Sequence, residues 1–155
     1  MMLALVLALQ AATPSTLPSQ GPNGGSNPGP NPGASPLSAI GQQKLPARGC
    51  AAYLWTLDVN RQMVAMASAD PAQIRLAIDG KVLDFARATQ SDPIGFGFGG
   101  ITQYRRDDVT ATLDLAISTR ADITAGATVT AATLRIDRPS RDTVVVPVGG
   151  LIGCV

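Results

Sequence analysis

Residues 109–118 read VTATLDLAIS, and this stretch carries the clearest structural signal in the chain. In an extended backbone Val109, Leu113 and Ile117 point to one face, whereas Thr112 and Asp114 point to the other. Such alternation of apolar and polar residues is typical of a strand with one buried face and one solvated face. The stretch therefore predicts an antiparallel sheet.

The same alternation continues on both sides of this strand. Residues 74–78 alternate in the same way, and Asp79-Gly80 then predicts a two-residue hairpin turn into a strand over 81–87. Further strands are predicted over 51–58, 62–69, 96–105, 128–137 and 143–148. About seven or eight short antiparallel strands indicate an all-β fold, which we expect to be a β-sandwich, with a small β-barrel as the alternative.

Two cysteines, Cys50 and Cys154, lie near the two ends of this predicted β domain. An even pair in an exported protein predicts a disulfide, which here would tie the first strand to the last. A structural zinc site needs about four Cys or His ligands, and the chain has only these two cysteines and no histidine. We therefore expect neither a metal ion nor a cofactor.

The N-terminal third of the chain differs in composition from the rest. Residues 1–12 begin with an unbroken apolar run and resemble a secretory signal segment, and residues 13–43 form a Pro, Gly, Asn and Ser-rich linker that we expect to be disordered. The apolar run is too short for a transmembrane helix of about 20 residues, so no membrane span is expected after leader cleavage. Residues 44–155 then form a single β domain, exported to the periplasm or the extracellular space.

The composition also restricts the chemistry. There is no histidine, and all eleven acidic residues are aspartates, so Ser-His-Asp and Cys-His mechanisms lack their base. We expect no enzyme activity, with an aspartate-dependent glycan hydrolase as the alternative because a pair of carboxylates suffices for that reaction. A net charge of +1 does not favour a nucleic-acid partner.

A glycine-rich run, GFGFGG at 95–100, matches the letters of the dinucleotide-binding fingerprint. That fingerprint needs a strand before it and a helix after it, whereas this run leads into another predicted strand. We expect Phe96 and Phe98 to point into the core. Gly97 and Gly99 would then leave the opposite face bare, as a candidate binding groove.

Two further groups complete the candidate binding surface. Tyr53 and Trp55 share one strand face close to Cys50, where they either pack beside the disulfide or anchor a protein or glycan partner. Arg105 and Arg106 lie at a charged hairpin tip, either as solvated turn residues or as a pair facing an anion.

Taken together, these features predict a non-catalytic binding or accessory module of the bacterial-type cell envelope. The expected partner is an envelope protein or a glycan, engaged through a strand edge or the glycine-rich face. Two alternatives stand beside this prediction: the glycan hydrolase, and a purely structural accessory domain without a binding surface.

Overall fold

The computed structural model describes residues 35–155, so the predicted signal segment and residues 13–34 of the predicted linker lie outside the described residues. No helix within that range is long and apolar enough to cross a membrane. The described chain forms these strands: β1 (Leu37–Ser38), β2 (Cys50–Thr56), β3 (Met63–Ala69), β4 (Ala72–Ile78), β5 (Lys81–Gln90), β6 (Pro93–Gly95), β7 (Phe98–Gly99), β8 (Ile101–Arg106), β9 (Val109–Ser118), β10 (Gly126–Asp137) and β11 (Val144–Cys154).

Eight of these strands close into an antiparallel β-barrel, in the order β2, β3, β4, β5, β8, β9, β10 and β11. The last strand, β11, pairs with β2, and β4 pairs with β5, so the wall has no break. The all-β prediction is confirmed, but the expected sandwich is wrong and its alternative, the barrel, is the observed fold. Bulges provide the physical reason, because they bend strands such as β10 enough for the sheet to coil onto itself.

The core fills the interior of the barrel with inward-pointing aliphatic and aromatic side chains. The alternation that predicts β9 is observed, since Leu113 and Leu115 are buried and Asp114 is exposed. Leu134 of β10 and Phe85 of β5 are completely buried in the same core. Full burial of one such side chain contributes about 1.5–3 kcal/mol to folding, so the packed interior is the main source of stability.

One end of the barrel, here called the lower end, is closed by the short hairpin of β6 and β7. Phe98 enters the core with 2% of its surface exposed, and the turn is formed by Phe96 at φ 56° and Gly97 at φ 82°. The strand predicted over 96–105 is therefore wrong in its first part, because left-handed backbone at two successive residues reverses the chain. Only 98–99 and 101–106 are extended.

The opposite, upper end holds the β4–β5 turn and the β10–β11 loop. Asp79 and Gly80 have φ values of 49° and 77°, which confirms the predicted hairpin turn with positive φ at both central residues. Arg138 of the β10–β11 loop donates a hydrogen bond to Asp79 Oδ2 at 3.0 Å. Because β4 and β10 lie on opposite walls, this ion pair spans the upper end of the barrel.

Residues 37–48 pack against the barrel before β2 begins, with Leu37 in the core, and are here called the strap. β1 pairs with the end of β4, and Leu37 and Ile40 are buried, although the sequence predicts this stretch up to residue 43 as linker. Farther along, the Tyr53 hydroxyl donates to the carbonyl of Lys44 at 3.0 Å. The folded body therefore includes these predicted linker residues as a covering over β2 and β3.

A disulfide joins Cys50 to Cys154, as predicted. The two cysteines face each other in register across the β2–β11 pairing, which is the seam where the first and last barrel strands meet. Beside them, the amide of Val155 donates to the carbonyl of Gly49 at 3.0 Å. The bridge is consistent with an oxidising, extracytoplasmic location.

Candidate functional site

A groove of about 530 Å³ lies on the outer wall of the barrel, where β2, β11 and β10 run side by side. Its floor is the backbone of Gly149 and Gly150, which carry no side chains. Trp55 and Leu57 form one wall and Leu151 contributes to the lining of the groove. We call this feature the Trp55 groove.

Strand β10 carries one extra residue where it passes the glycines of β11 at the groove. Val129 pairs with Gly150 and Ala132 pairs with Val148, so two residues of β10 oppose Gly149 alone. This is a β-bulge, which bends β10 locally at Thr130 and Ala131. A side chain is excluded at Gly150, because a Cβ there would overlap the carbonyl oxygen of Tyr53 and lie 3.1 Å from the Trp55 ring.

The loop over residues 57–62 forms the rim of the groove and is held by hydrogen bonds to one carboxylate. Asp58 Oδ1 accepts from the Thr56 hydroxyl at 2.9 Å, from the Asn60 amide at 2.9 Å and from the Arg61 amide at 3.1 Å. The Thr56 hydroxyl in turn accepts from the Gln62 amide at 3.1 Å. The rim is therefore preorganised, and a ligand would not have to order it on binding.

The same contacts shift the ionisation of Asp58. The hydrogen bond from Thr56 lowers the pKa of its carboxyl, the amides of Asn60 and Arg61 lower it further, and desolvation acts in the opposite direction. A lowered pKa keeps the carboxylate ionised over a wider acidic range, so the loop keeps its acceptor there.

Apolar side chains on and beside the rim are unusually exposed. Leu57 is 61% exposed, Val59 98% and Leu151 48%. Arg61 lines the groove, and among residues 35–155 its guanidinium has neither an ion pair nor a hydrogen-bond acceptor. An exposed apolar cluster next to an uncompensated cation is a combination found at binding surfaces.

The structure separates the two aromatic residues that the sequence places together. Trp55 lines the groove, whereas Tyr53 is 7% exposed and lies beneath the strap, where its hydroxyl contacts Lys44. Burial raises the pKa of the Tyr53 hydroxyl. Of this pair only Trp55 is available to a ligand.

Gly97 and Gly99 lie in the lower hairpin, and the chain itself fills the space beside them. A Cβ on Gly97 would lie 2.7 Å from Cβ of Ala69, and one on Gly99 would lie 2.8 Å from the carbonyl oxygen of Ser91. These glycines permit the hairpin to pack against neighbouring backbone. The glycine face is thus covered rather than bare.

Arg105 and Arg106 lie on β8, which three strands separate from β2 in either direction around the barrel. Arg106 donates to the carbonyl of Asp84 at 3.2 Å and lies 3.8 Å from the Asp107 carboxylate, whereas Arg105 is exposed. The six residues predicted as one binding surface therefore lie in separate parts of the molecule.

Most residues of the Trp55 groove were missed by sequence reasoning. The strand prediction over 143–148 ended at Val148, so Gly149 and Gly150 fell outside it. A Gly-Gly pair inside an apolar run was a usable signal, because glycine within a strand often marks a bulge or a close backbone approach. The opposing bulge at Thr130 has no such mark in the sequence.

Comparison with protein-family models, with curated proteins and with solved structures finds no match for this chain.

Proposed function

We propose that this chain is an exported, non-catalytic binding module of the bacterial-type cell envelope, and that it holds a protein partner in the Trp55 groove. One observation carries the proposal: a preformed groove on the outer wall, lined by exposed Leu57 and Leu151 and by the indole of Trp55, which lies against the glycine backbone of β11. Buried Trp anchors in rigid concave sites are typical of the residues that dominate protein–protein affinity.

Closure of both barrel ends supports a binding site on the outer wall. Phe98 fills the lower end, and the pair of Arg138 with Asp79 spans the upper end. The interior is occupied by fully buried side chains, including Leu54, Ile74 and Leu134. Barrels with eight strands have an interior just wide enough for side chains or one small ligand, and here side chains take that space.

The arrangement of the aspartates favours binding over hydrolysis. Glycan hydrolysis needs two carboxyls facing each other across a cleft. Of the eleven aspartates, six form ion pairs with arginine. The pairs are Asp70 with Arg48, Asp79 with Arg138, Asp84 with Arg75, Asp107 with Arg106, Asp122 with Arg120, and Asp137 with Arg135.

Site-specific photocrosslinking tests the proposal. Benzoylphenylalanine would replace Leu57 at the groove, and in the control protein Val82 on β5, which is 53% exposed and far from the groove. Irradiation of intact cells should give a discrete protein adduct from position 57 and none from position 82. Equal adducts at both positions, or none at position 57, would contradict the proposal.

The compartment requires a separate measurement on native protein from cell fractions. Export predicts an intact mass that lacks the leader, together with no titratable thiol, because Cys50 and Cys154 are oxidised. A full-length chain with two free thiols would show that the protein is not exported.

A further inference from the structure

Arg61 is the feature of the Trp55 groove that distinguishes one class of partner from another. Resting on the function proposed above, we infer that the groove binds a protein segment in which an exposed apolar side chain stands next to an aspartate or glutamate. The apolar side chain enters between Trp55 and Leu151, and the carboxylate pairs with Arg61.

The apolar half of this inference follows from the lining of the groove. Trp55, Leu57 and Leu151 present carbon surface around the glycine floor. Since Leu57 and Leu151 are more than 45% exposed in the free protein, a partner side chain that enters the groove and contacts them removes apolar surface of both molecules from water.

The acidic residue that we infer in the partner follows from the unpaired guanidinium of Arg61. Six of the ten arginines have carboxylate partners within residues 35–155. Arg61 is one of the four that have none there, and of these four it is the one that lines the groove. The nearest carboxylate in sequence, Asp58, already accepts three hydrogen bonds, two from amides of its own loop and one from the Thr56 hydroxyl of β2. A guanidinium binds a carboxylate through paired hydrogen bonds, so an acidic partner residue satisfies this unpaired cation.

The same residues argue against a sugar or a lipid surface as occupant. Sugar hydroxyls need several polar side chains, but the Thr56 hydroxyl is already bound to Asp58 and Gln62, which leaves Arg61 and Thr130. Anionic membranes attract clusters of cations, whereas the chain has a net charge of +1 and the groove holds one arginine.

Trp55 provides a direct reporter, because it is the only tryptophan in the chain. The probes are two capped peptides, acetyl-Gly-Gly-Phe-Asp-Gly-Gly-amide and its counterpart with Asn in place of Asp. Titration of the folded, oxidised protein should change the Trp55 fluorescence. We expect the Asp peptide to bind about fivefold more tightly than the Asn peptide, as for one partly exposed ion pair.

Two arginine variants locate the source of that preference. Arg61→Gln should bind both peptides equally, whereas Arg141→Gln, which removes an exposed arginine outside the groove, should keep the fivefold difference. Leu57→Ala should weaken both peptides by a similar factor. Unchanged thermal unfolding of each variant shows that the fold is intact.

The outcomes separate this inference from the proposed function. Equal affinity of wild-type protein for the two peptides, no binding of either, or a preference that persists in Arg61→Gln overturns the inference. The adduct from position 57 would still support the proposed function in that case. A fluorescence change with phosphatidylglycerol vesicles or chitooligosaccharide, and none with the peptides, also overturns it.

Discussion

Gly150 shows how much of this fold depends on one missing side chain. Since a Cβ at this position would overlap the Tyr53 carbonyl, Gly150→Ala must push β2 away from β11. We expect it to lower the free energy of unfolding by about 3 kcal/mol, the upper range for overpacking a rigid site. Urea denaturation of the purified variant measures the loss.

Gly80→Ala provides the matched control. Gly80 has φ 77°, and a Cβ there would meet no atom within 4 Å, so only backbone strain of about 1 kcal/mol is expected. Equal losses in the two variants would show that crowding at Gly150 is not the cause.

Ionisation of Tyr104 makes the stability of the barrel depend on pH in the alkaline range. Burial raises the pKa of its hydroxyl to about 12, partly opposed by the Thr102 hydroxyl and by Arg87. In the unfolded chain the pKa of a tyrosine hydroxyl is about 10. The contribution of protonated Tyr104 to the free energy of unfolding is therefore fully present below pH 10 and is lost as pH rises through the pKa of the folded state. Two pKa units correspond to about 2.7 kcal/mol.

Tyr104→Phe should therefore reduce this loss. We expect its free energy of unfolding, measured by denaturant titration from pH 9 to 11.5, to fall less steeply with pH than that of the wild type. Parallel curves for the two proteins would mean that Tyr104 ionisation does not contribute.

Among the elements, the 57–62 loop depends on Asp58. Asp58→Ala removes the carboxylate that accepts from the amides of Asn60 and Arg61, and leaves the Arg61 amide only its 3.3 Å bond to the carbonyl of residue 58. The loop should therefore open to solvent more often. We expect these two amides to exchange with solvent about fivefold faster, as measured by hydrogen exchange. In the control Asp108→Ala, an exposed aspartate on another loop, their exchange should not change. Unchanged exchange in Asp58→Ala would contradict the role of the carboxylate.

The β6–β7 hairpin contributes to stability through Phe98. Truncating this buried ring in Phe98→Ala should cost about 3–5 kcal/mol, because the lower end of the core loses its filling. Ile94→Ala in the same hairpin, where the side chain is 42% exposed, should change stability by at most about 0.5 kcal/mol. Thermal unfolding distinguishes the two. A small effect of Phe98→Ala would mean that the hairpin does not close the core.

Local sequence patterns predict most strands correctly, but they do not predict the β6–β7 hairpin. The 109–118 strand and the Asp79-Gly80 turn were identified because each depends on neighbouring residues only. The lower hairpin was missed because alternating Phe and Gly is compatible with a strand. The turn brings Gly97 so close to Ala69 of β3 that no side chain fits there, and this contact between distant parts of the chain is not visible in the local pattern.

At the scale of the whole molecule, the closure of the sheet into a barrel cannot be predicted from local sequence patterns. Sandwich and barrel contain the same strands and differ in the pairing of β2 with β11, which joins residues about a hundred positions apart. The Trp55 groove has the same origin, since β2, β10 and β11 form it only after the wall has closed. The sequence pattern indicates Trp55 as a candidate binding residue, but it does not indicate which residues lie next to Trp55 in the folded protein.

The disulfide strengthens that closure. Cys50 and Cys154 are separated by 104 positions, and bridging a loop of about 100 residues stabilises a protein by up to about 4.7 kcal/mol through restriction of the unfolded chain. The double variant Cys50→Ser and Cys154→Ser should therefore lose about 3–5 kcal/mol in guanidinium denaturation. A midpoint equal to that of the oxidised protein would show that the bridge adds nothing.

The pairing of β2 with β11 also determines which strand edges are exposed before folding is complete. Without the β2–β11 pairing, both strands become free edges, and residues 148–154 of β11 lose the partners of the amides and carbonyls that face β2, while β11 stays paired with β10 on its other side. Such edges are templates for pairing with other chains. This pairing also closes one of the longest loops in the fold, so we expect it to form late in folding. Because the Cys50–Cys154 bridge keeps β2 and β11 together, we expect it to protect the protein against aggregation as well as against unfolding.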